Sequence, residues 1–186
     1  MVIGLVGISG VGKSYLKKRT LESIDNLSSL FAATTRPKRD SEVDGKDKYF
    51  ISEKNFTNMK SKSEMFLVQE IYGFMYGFLK SDLKKRTNYI TEMLHTDIQE
   101  MRLYTDVKII YIHSNNRNAI FENLKNRYGN TNLLEERIKK DELIKRDNES
   151  MFAQNKFDFE FENCFDEDSV IGFINIVQRI IAESTS

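Results

Sequence analysis

The chain has 186 residues, with 28 Lys and Arg against 28 Asp and Glu, so its formal net charge is zero. That length suits one domain with its own core, and a composition of 40% hydrophobic and 30% charged residues excludes a disordered chain. A single cysteine, Cys164, excludes a disulfide framework and a cysteine-based metal cluster, and no run of 18 apolar residues exists to span a membrane.

In chain order, residues 2–6 (Val-Ile-Gly-Leu-Val) form a short continuous apolar run, the pattern of a strand buried on both faces of a parallel sheet. No basic leader precedes it, so no secretory signal is expected and the protein is expected to be cytoplasmic. A helix is predicted over 13–22 and a second strand over 29–33. From Lys48 to about Phe78 the pattern changes to Tyr49-Phe50-Ile51, a short helical piece, residues 65–71 and glycines at 73 and 77. This predicts a small β-rich insertion with glycine turns, with the sole proline, Pro37, marking a loop just before it. Residues 107–113, rich in β-branched and aromatic types, give the strongest strand signal. Helices are predicted over 115–128 and 133–148 with Gly129-Asn130 as the stop between them. A strand over 157–161 and a closing helix over 169–182 follow. The alternation predicts an α/β fold with a parallel central sheet. Cys164 is expected in the core, and His95 and His113 are expected to be structural.

The neutral total hides a gradient: residues 1–62 carry 12 Lys and Arg against 7 Asp and Glu, whereas residues 151–186 carry 2 against 7. Unless surface charge merely falls this way, a basic front end suits a small anion such as phosphate, and a neutral chain does not suit long nucleic acid. Gly7-Ile8-Ser9-Gly10-Val11-Gly12-Lys13-Ser14 matches the phosphate-binding loop pattern G-x-x-x-x-G-K-[ST]. Its glycines let backbone N–H groups form an anion nest, and the helix that follows adds its positive end. Ser9, Gly10, Val11, Gly12, Lys13 and Ser14 are therefore the expected phosphate-binding residues. Lys13 would reach the β- and γ-phosphates of ATP, and the Ser14 hydroxyl would ligate Mg²⁺.

Past this loop the chain reads Thr34-Thr35-Arg36-Pro37-Lys38-Arg39, then Glu42-Val43-Asp44-Gly45 and Tyr49-Phe50. Further on come Gly73-Phe74-Met75-Tyr76-Gly77, Thr96-Asp97-Ile98-Gln99, Asn126-Arg127-Tyr128-Gly129 and Glu136-Arg137-Ile138. In order and spacing these segments resemble those of guanylate kinases over nearly the whole chain. The resemblance implies a P-loop NTPase three-layer fold with a core of residues 1–33, 86–125 and 149–186. An acceptor-binding subdomain would occupy about 34–85 and a helical lid about 126–148. It implies that Arg36, Arg39 and Tyr76 grip an acceptor phosphate, and that Asp97 touches the acceptor base or hydrated magnesium. Arg127 and Arg137 would close from the lid as catalytic residues together with Lys13. Guanidinium forks suit phosphate better than ammonium groups do. A phosphate acceptor is already an anion, so no general base is needed. Asp97 has a second reading, as the cap of a helix over 98–104.

The resemblance also implies Asn163 near the donor base. The polar side chains by which the family reads guanine are replaced, with Ala32, Leu67 and Phe78 at those positions, and Glu100 stands where the family has glycine. Lys48 replaces a tyrosine, and His95 stands where an acidic residue is usual. The expected activity is transfer of the γ-phosphoryl group of ATP to GMP, dGMP or a similar nucleotide. The alternatives are another phosphorylated acceptor, such as a different nucleotide or a ribose phosphate, or a non-catalytic protein-binding module. Small-molecule nucleotides are the expected partners, with neither nucleic acid nor membrane.

Overall fold

The computed structural model describes residues 1–40, 42–83, 87–129, 131–154 and 156–184. In chain order its elements are β1 (Val2–Val6), α1 (Lys13–Ser23), β2 (Leu27–Ser29), β3 (Ala32–Thr34), β4 (Tyr49–Phe50), α2 (Glu53–Ser61), β5 (Met65–Ile71) and β6 (Phe74–Leu79). Then come β7 (Asn88–Glu92), α3 (Ile98–Met101), β8 (Val107–His113), α4 (Arg117–Tyr128), α5 (Asn132–Ala153), β9 (Phe159–Glu162) and α6 (Glu167–Glu183).

The central sheet has five strands in the order β2-β7-β1-β8-β9, and all its ladders are parallel. Period-two alternation sorts its side chains into two cores. Val2 and Val6 of β1 face the same side as Ile109 and Tyr111 of β8. Ile3 and Leu5 join Ile110 and Ile112 on the other side, under Leu16 of α1 and Val170, Phe173 and Val177 of α6. The apolar run at 2–6 is therefore a strand covered on both faces, as its sequence predicted, and 107–113 is the strand its β-branched and aromatic residues predicted. A second sheet of four strands, β4-β3-β6-β5, has its own small core of Ala33, Phe56 and Met65.

Several expected details differ. The strand predicted over 29–33 is two half-strands in different sheets. Ser29 pairs with Ile90 in the central sheet, and Ala32 pairs with Phe78 in the small one. Leu30 stays in the central core while the Phe31 ring packs edge-on to Tyr49, so the chain changes sheet between them. β7 is an element the apolar pattern misses. Its Thr91 is buried with its hydroxyl on the Leu30 carbonyl at 2.9 Å, and its last residue is the carboxylate Glu92.

Gly77 lies inside β6 and not in a turn. A Cβ there would sit 3.0 Å from Met65 Cε and 3.1 Å from Val68 Cγ2. The turn is Tyr72-Gly73, with φ of 54° and 78°, the pair of positive values that a type I′ hairpin needs. The helix predicted over 98–104 ends at Met101, and α5 runs to Ala153, beyond the expected Asn148. Cys164 is exposed and is not a core residue. Asn130, half of the expected helix stop, lies outside the described residues, as does the expected boundary at 85 and 86. No described helix is long and apolar enough to cross a membrane.

Candidate active site

One cleft of about 840 Å³ runs along the carboxyl ends of β1 and β7 and is lined from every part of the chain expected to carry function. Its floor is the loop from Gly7 to Gly12. Gly12 has φ 98°, and a Cβ on it would lie 2.3 Å from Asn163 Nδ2, so only glycine fits. Asn163, which the resemblance sets near the donor base, clips the loop. Its Nδ2 donates to the Val11 carbonyl at 2.9 Å, and its Oδ1 accepts from the Phe165 N–H at 3.0 Å. The Val11 side chain is buried in the core, which leaves its backbone as the part able to meet a phosphate. Asn123 Nδ2 holds the Gly10 carbonyl at 2.9 Å. With its carbonyls tied down, the loop keeps its N–H groups for an anion. α1 begins at Lys13 with no side-chain cap and no acidic residue in its first turn, so its positive end is also open to an anion.

Lys13 Nζ donates to the carbonyls of Gly7 and Ile8, both at 2.8 Å. Burial pushes the ammonium below its ordinary value; Glu92 and Asp141 oppose this, while Arg127 and Arg137 add to it. Glu92 is the chief residue that sequence reasoning missed. Burial works against its charge, but Lys17, Lys48 and Lys13, with a hydrogen bond from Ser14, hold its carboxyl down at about 2. Lys48, which stands where the family has tyrosine, thus favours the charge at the end of β7 from the loop before β4. Among the described residues no group of three His, Cys, Asp or Glu side chains could hold a metal. The oxygen donor offered to Mg²⁺ beside the loop is the Ser14 hydroxyl, with the Glu92 carboxylate behind it. That suits a cation that keeps most of its shell as water and phosphate.

On the acceptor side, Arg36 is held in place. Its Nη2 donates to both Glu42 oxygens at 2.7 and 2.9 Å, and its guanidinium lies 5.4 Å from the Phe50 ring centroid. Burial opposes its charge, and Glu42 more than offsets this; Tyr76 adds a smaller effect in the same direction. Arg39 is less committed, with Nη1 3.5 Å from Glu42 Oε1 and its backbone N–H on the same carboxylate at 2.9 Å. Burial, then the neighbouring Arg36 and Arg127, push its guanidinium below its ordinary value. A guanidinium held among other cations in a cleft favours an anion beside it.

Asp97, 6% exposed, does not cap α3 with its side chain. Its Oδ2 accepts from the Leu94 N–H at 3.1 Å and from Gln69 Nε2 at 2.9 Å. Burial pushes its carboxyl up against these bonds. Ala32, Leu67 and Phe78 all line the cleft, as does Gln69. Leu67 has φ 50° in a β-bulge of β5, where its N–H is held by Glu100 Oε1 at 2.9 Å. The carboxylate that replaces the family's glycine thus satisfies the bulged backbone. Beyond the bulge the register resumes with Gln69 opposite Tyr76, which delivers an amide to the wall that the sequence marks as apolar.

α4 and α5, where the lid is expected, line the cleft as well. Arg137 Nε donates to Ser9 Oγ at 2.9 Å, and a second N–H of the same guanidinium reaches that oxygen. Asp141, one helical turn on, lies 3.4 Å from Arg137 Nε. Arg127, at the end of α4, faces the same space.

Residues 1–184 match the family model described as guanylate kinase. A guanylate kinase of Thermotoga maritima is 33% identical over 113 residues, which cover 58% of this chain and 55% of that protein. One from Prochlorococcus marinus is 29% identical over 182 residues, covering 95% and 96%. The match to the Thermotoga protein spans about half of that relative's length, and a match to a rice chloroplastic/mitochondrial guanylate kinase 2 spans 35%. A crystal structure of guanylate kinase from Anaplasma phagocytophilum superposes with a TM-score of 0.67 at 19% identity, over 99% of this chain and 85% of that one. At that identity the likeness shows a shared fold.

Proposed function

The chain belongs to the guanylate kinase family, and from that premise we propose that it is a cytoplasmic phosphotransferase that moves the γ-phosphoryl group of ATP to GMP or dGMP. The observation that carries the proposal is the shared cleft. The anion nest at Gly7–Ser14 and the cation group Arg36, Arg39 and Arg127 open into the same space, with Arg137 beside the nest. A donor phosphate on one side and an acceptor phosphate on the other would meet between them.

The glycine loop and the uncapped start of α1 would take the donor phosphates. Lys13 would exchange its two carbonyl partners for phosphate oxygens. When bound, Mg²⁺ supplies charge neutralisation, and Ser14 would hold it with Glu92 orienting the hydroxyl. Arg39 would clamp the acceptor phosphate beside Arg36, which Glu42 and Phe50 hold in place, with Tyr76 donating a hydrogen bond to the same phosphate. Arg127 and Arg137 would neutralise charge on the transferring group. The acceptor arrives as an anion, so positioning and electrostatics carry the acceleration and no proton need be removed.

Asp97 and Gln69 support guanine as the base. A carboxylate accepts from the N1–H and amino group of guanine, whereas adenine would set an acceptor against it. A site built to hydrogen-bond a base rejects one that cannot answer, more strongly than an apolar wall does. The test is an acceptor screen with ATP·Mg²⁺ over the common monophosphates and several ribose phosphates. GMP and dGMP should exceed AMP in kcat/KM by at least about 10²-fold. Equal rates for all bases, or a preferred sugar phosphate, would overturn the acceptor assignment. No transfer to any acceptor would leave the protein-binding reading in its place.

A further inference from the structure

Tyr72 occupies a position that a large side chain ordinarily avoids. It is the first central residue of the β5–β6 turn and has φ 54°, where glycine, asparagine and aspartate are favoured and a bulky residue is an outlier. Such an outlier persists when something outside the turn holds it, and it points to a role for the side chain. The ring meets the lid. The Arg137 guanidinium carbon lies 4.0 Å from its centroid, and Lys140 Nζ lies 4.7 Å from it. Residues 137 and 140 are one turn apart on α5, so a single aromatic ring meets two cations from one stripe of the lid helix.

Arg137 is thereby fixed from three directions: Ser9 of the phosphate loop, Asp141 of its own helix and Tyr72 of the small sheet. The first two contacts come from the core and the lid. The third is the link to the acceptor-binding insertion, whose position follows whatever that insertion binds.

We propose that Tyr72 is a positioning residue: its ring face holds Arg137 over the phosphate loop and couples the acceptor-binding sheet to closure of the lid. The role acts through Arg137 and makes no contact with the reacting atoms. It deepens the phosphotransferase reading, on which its kinetic test rests. Because the alignment of Arg137 matters most at the transition state, loss of the ring should lower kcat and leave both KM values nearly unchanged.

Three forms of the full chain decide it: wild type, Tyr72→Phe and Tyr72→Asn. Phe keeps the ring face, whereas Asn removes it and suits the turn better. Tyr72→Asn should keep or raise Tm while kcat falls about tenfold, the scale of a partly desolvated cation–π contact. Tyr72→Phe should stay within about twofold of wild type. A merely structural tyrosine would show the opposite pattern, with activity following Tm. An unchanged kcat in Tyr72→Asn, or an equal loss in Tyr72→Phe, would overturn the proposal. Limited trypsin digestion of the substrate-free proteins reads the same contact without activity. Cleavage within α5 should quicken in Tyr72→Asn and not in Tyr72→Phe; equal rates in all three would also overturn it. Should wild type transfer phosphate to nothing, the functional reading fails and the digestion alone decides the contact.

Discussion

Replacing Lys13 with methionine should lower kcat by about 10³-fold at saturating ATP and acceptor. Loss of a single preorganised donor at a developing charge costs on the order of 10²–10³-fold, and Lys13 lines the cleft beside the phosphate loop. The residue sits at the start of α1, where its ammonium is held on the carbonyls of Gly7 and Ile8 until a phosphate replaces them. Burial already works against that charge, so a methionine of similar length should leave stability nearly unchanged. A coupled assay beside a thermal melt separates the two effects. A loss below tenfold in a folded variant would remove Lys13 from the machinery.

The second large effect concerns stability and pH. Glu92 has a folded pKa of about 2, below its ordinary 4.5. Its ionised form therefore stabilises the protein above about pH 4.5, and this contribution is lost as pH falls toward 2. The shift corresponds to about 3 kcal/mol. Glu92→Gln should accordingly lose about 3 kcal/mol at pH 7, where Lys13, Lys17 and Lys48 would face an uncharged amide. Urea unfolding of both proteins between pH 7 and pH 3 measures this. The gap should narrow steadily below pH 4.5; equal stabilities at pH 7, or a gap that persists in acid, would contradict the stabilisation of this carboxylate's charge by Lys17, Lys48 and Lys13.

Glu92 also shows why the sequence yields some elements and hides others. β1 is legible because a strand covered on both faces must be apolar throughout, and β8 because β-branched and aromatic residues fill its centre. β7 is covered equally well, yet Thr91 is satisfied by the Leu30 carbonyl and Glu92 by its lysines. Both partners are distant in sequence, so the residues read as surface. The phosphate loop is legible because its chemistry is local: glycines, a lysine and a hydroxyl in one stretch.

The acceptor wall is less legible because a bulge intervenes. Position-by-position matching sets Leu67 where a reader should stand. The left-handed Leu67, tethered by Glu100, advances the ladder so that Gln69 reaches Asp97. No spacing rule in one sequence reveals such a bulge. Asn163 adds a role that motif order does not reveal: its amide holds the Val11 carbonyl and excludes a side chain at Gly12.

The central claim is that two phosphate grips share one cleft at a distance set for transfer. Isothermal titration with adenosine and guanosine joined through a chain of five phosphates measures that directly, because the linked ligand must fill both grips at once. The account predicts binding about 10²–10⁴-fold tighter than ATP alone, the gain that a linker of fitting length confers. An affinity no better than that of ATP would mean that the two grips cannot be occupied together, and phosphoryl transfer between them would be ruled out.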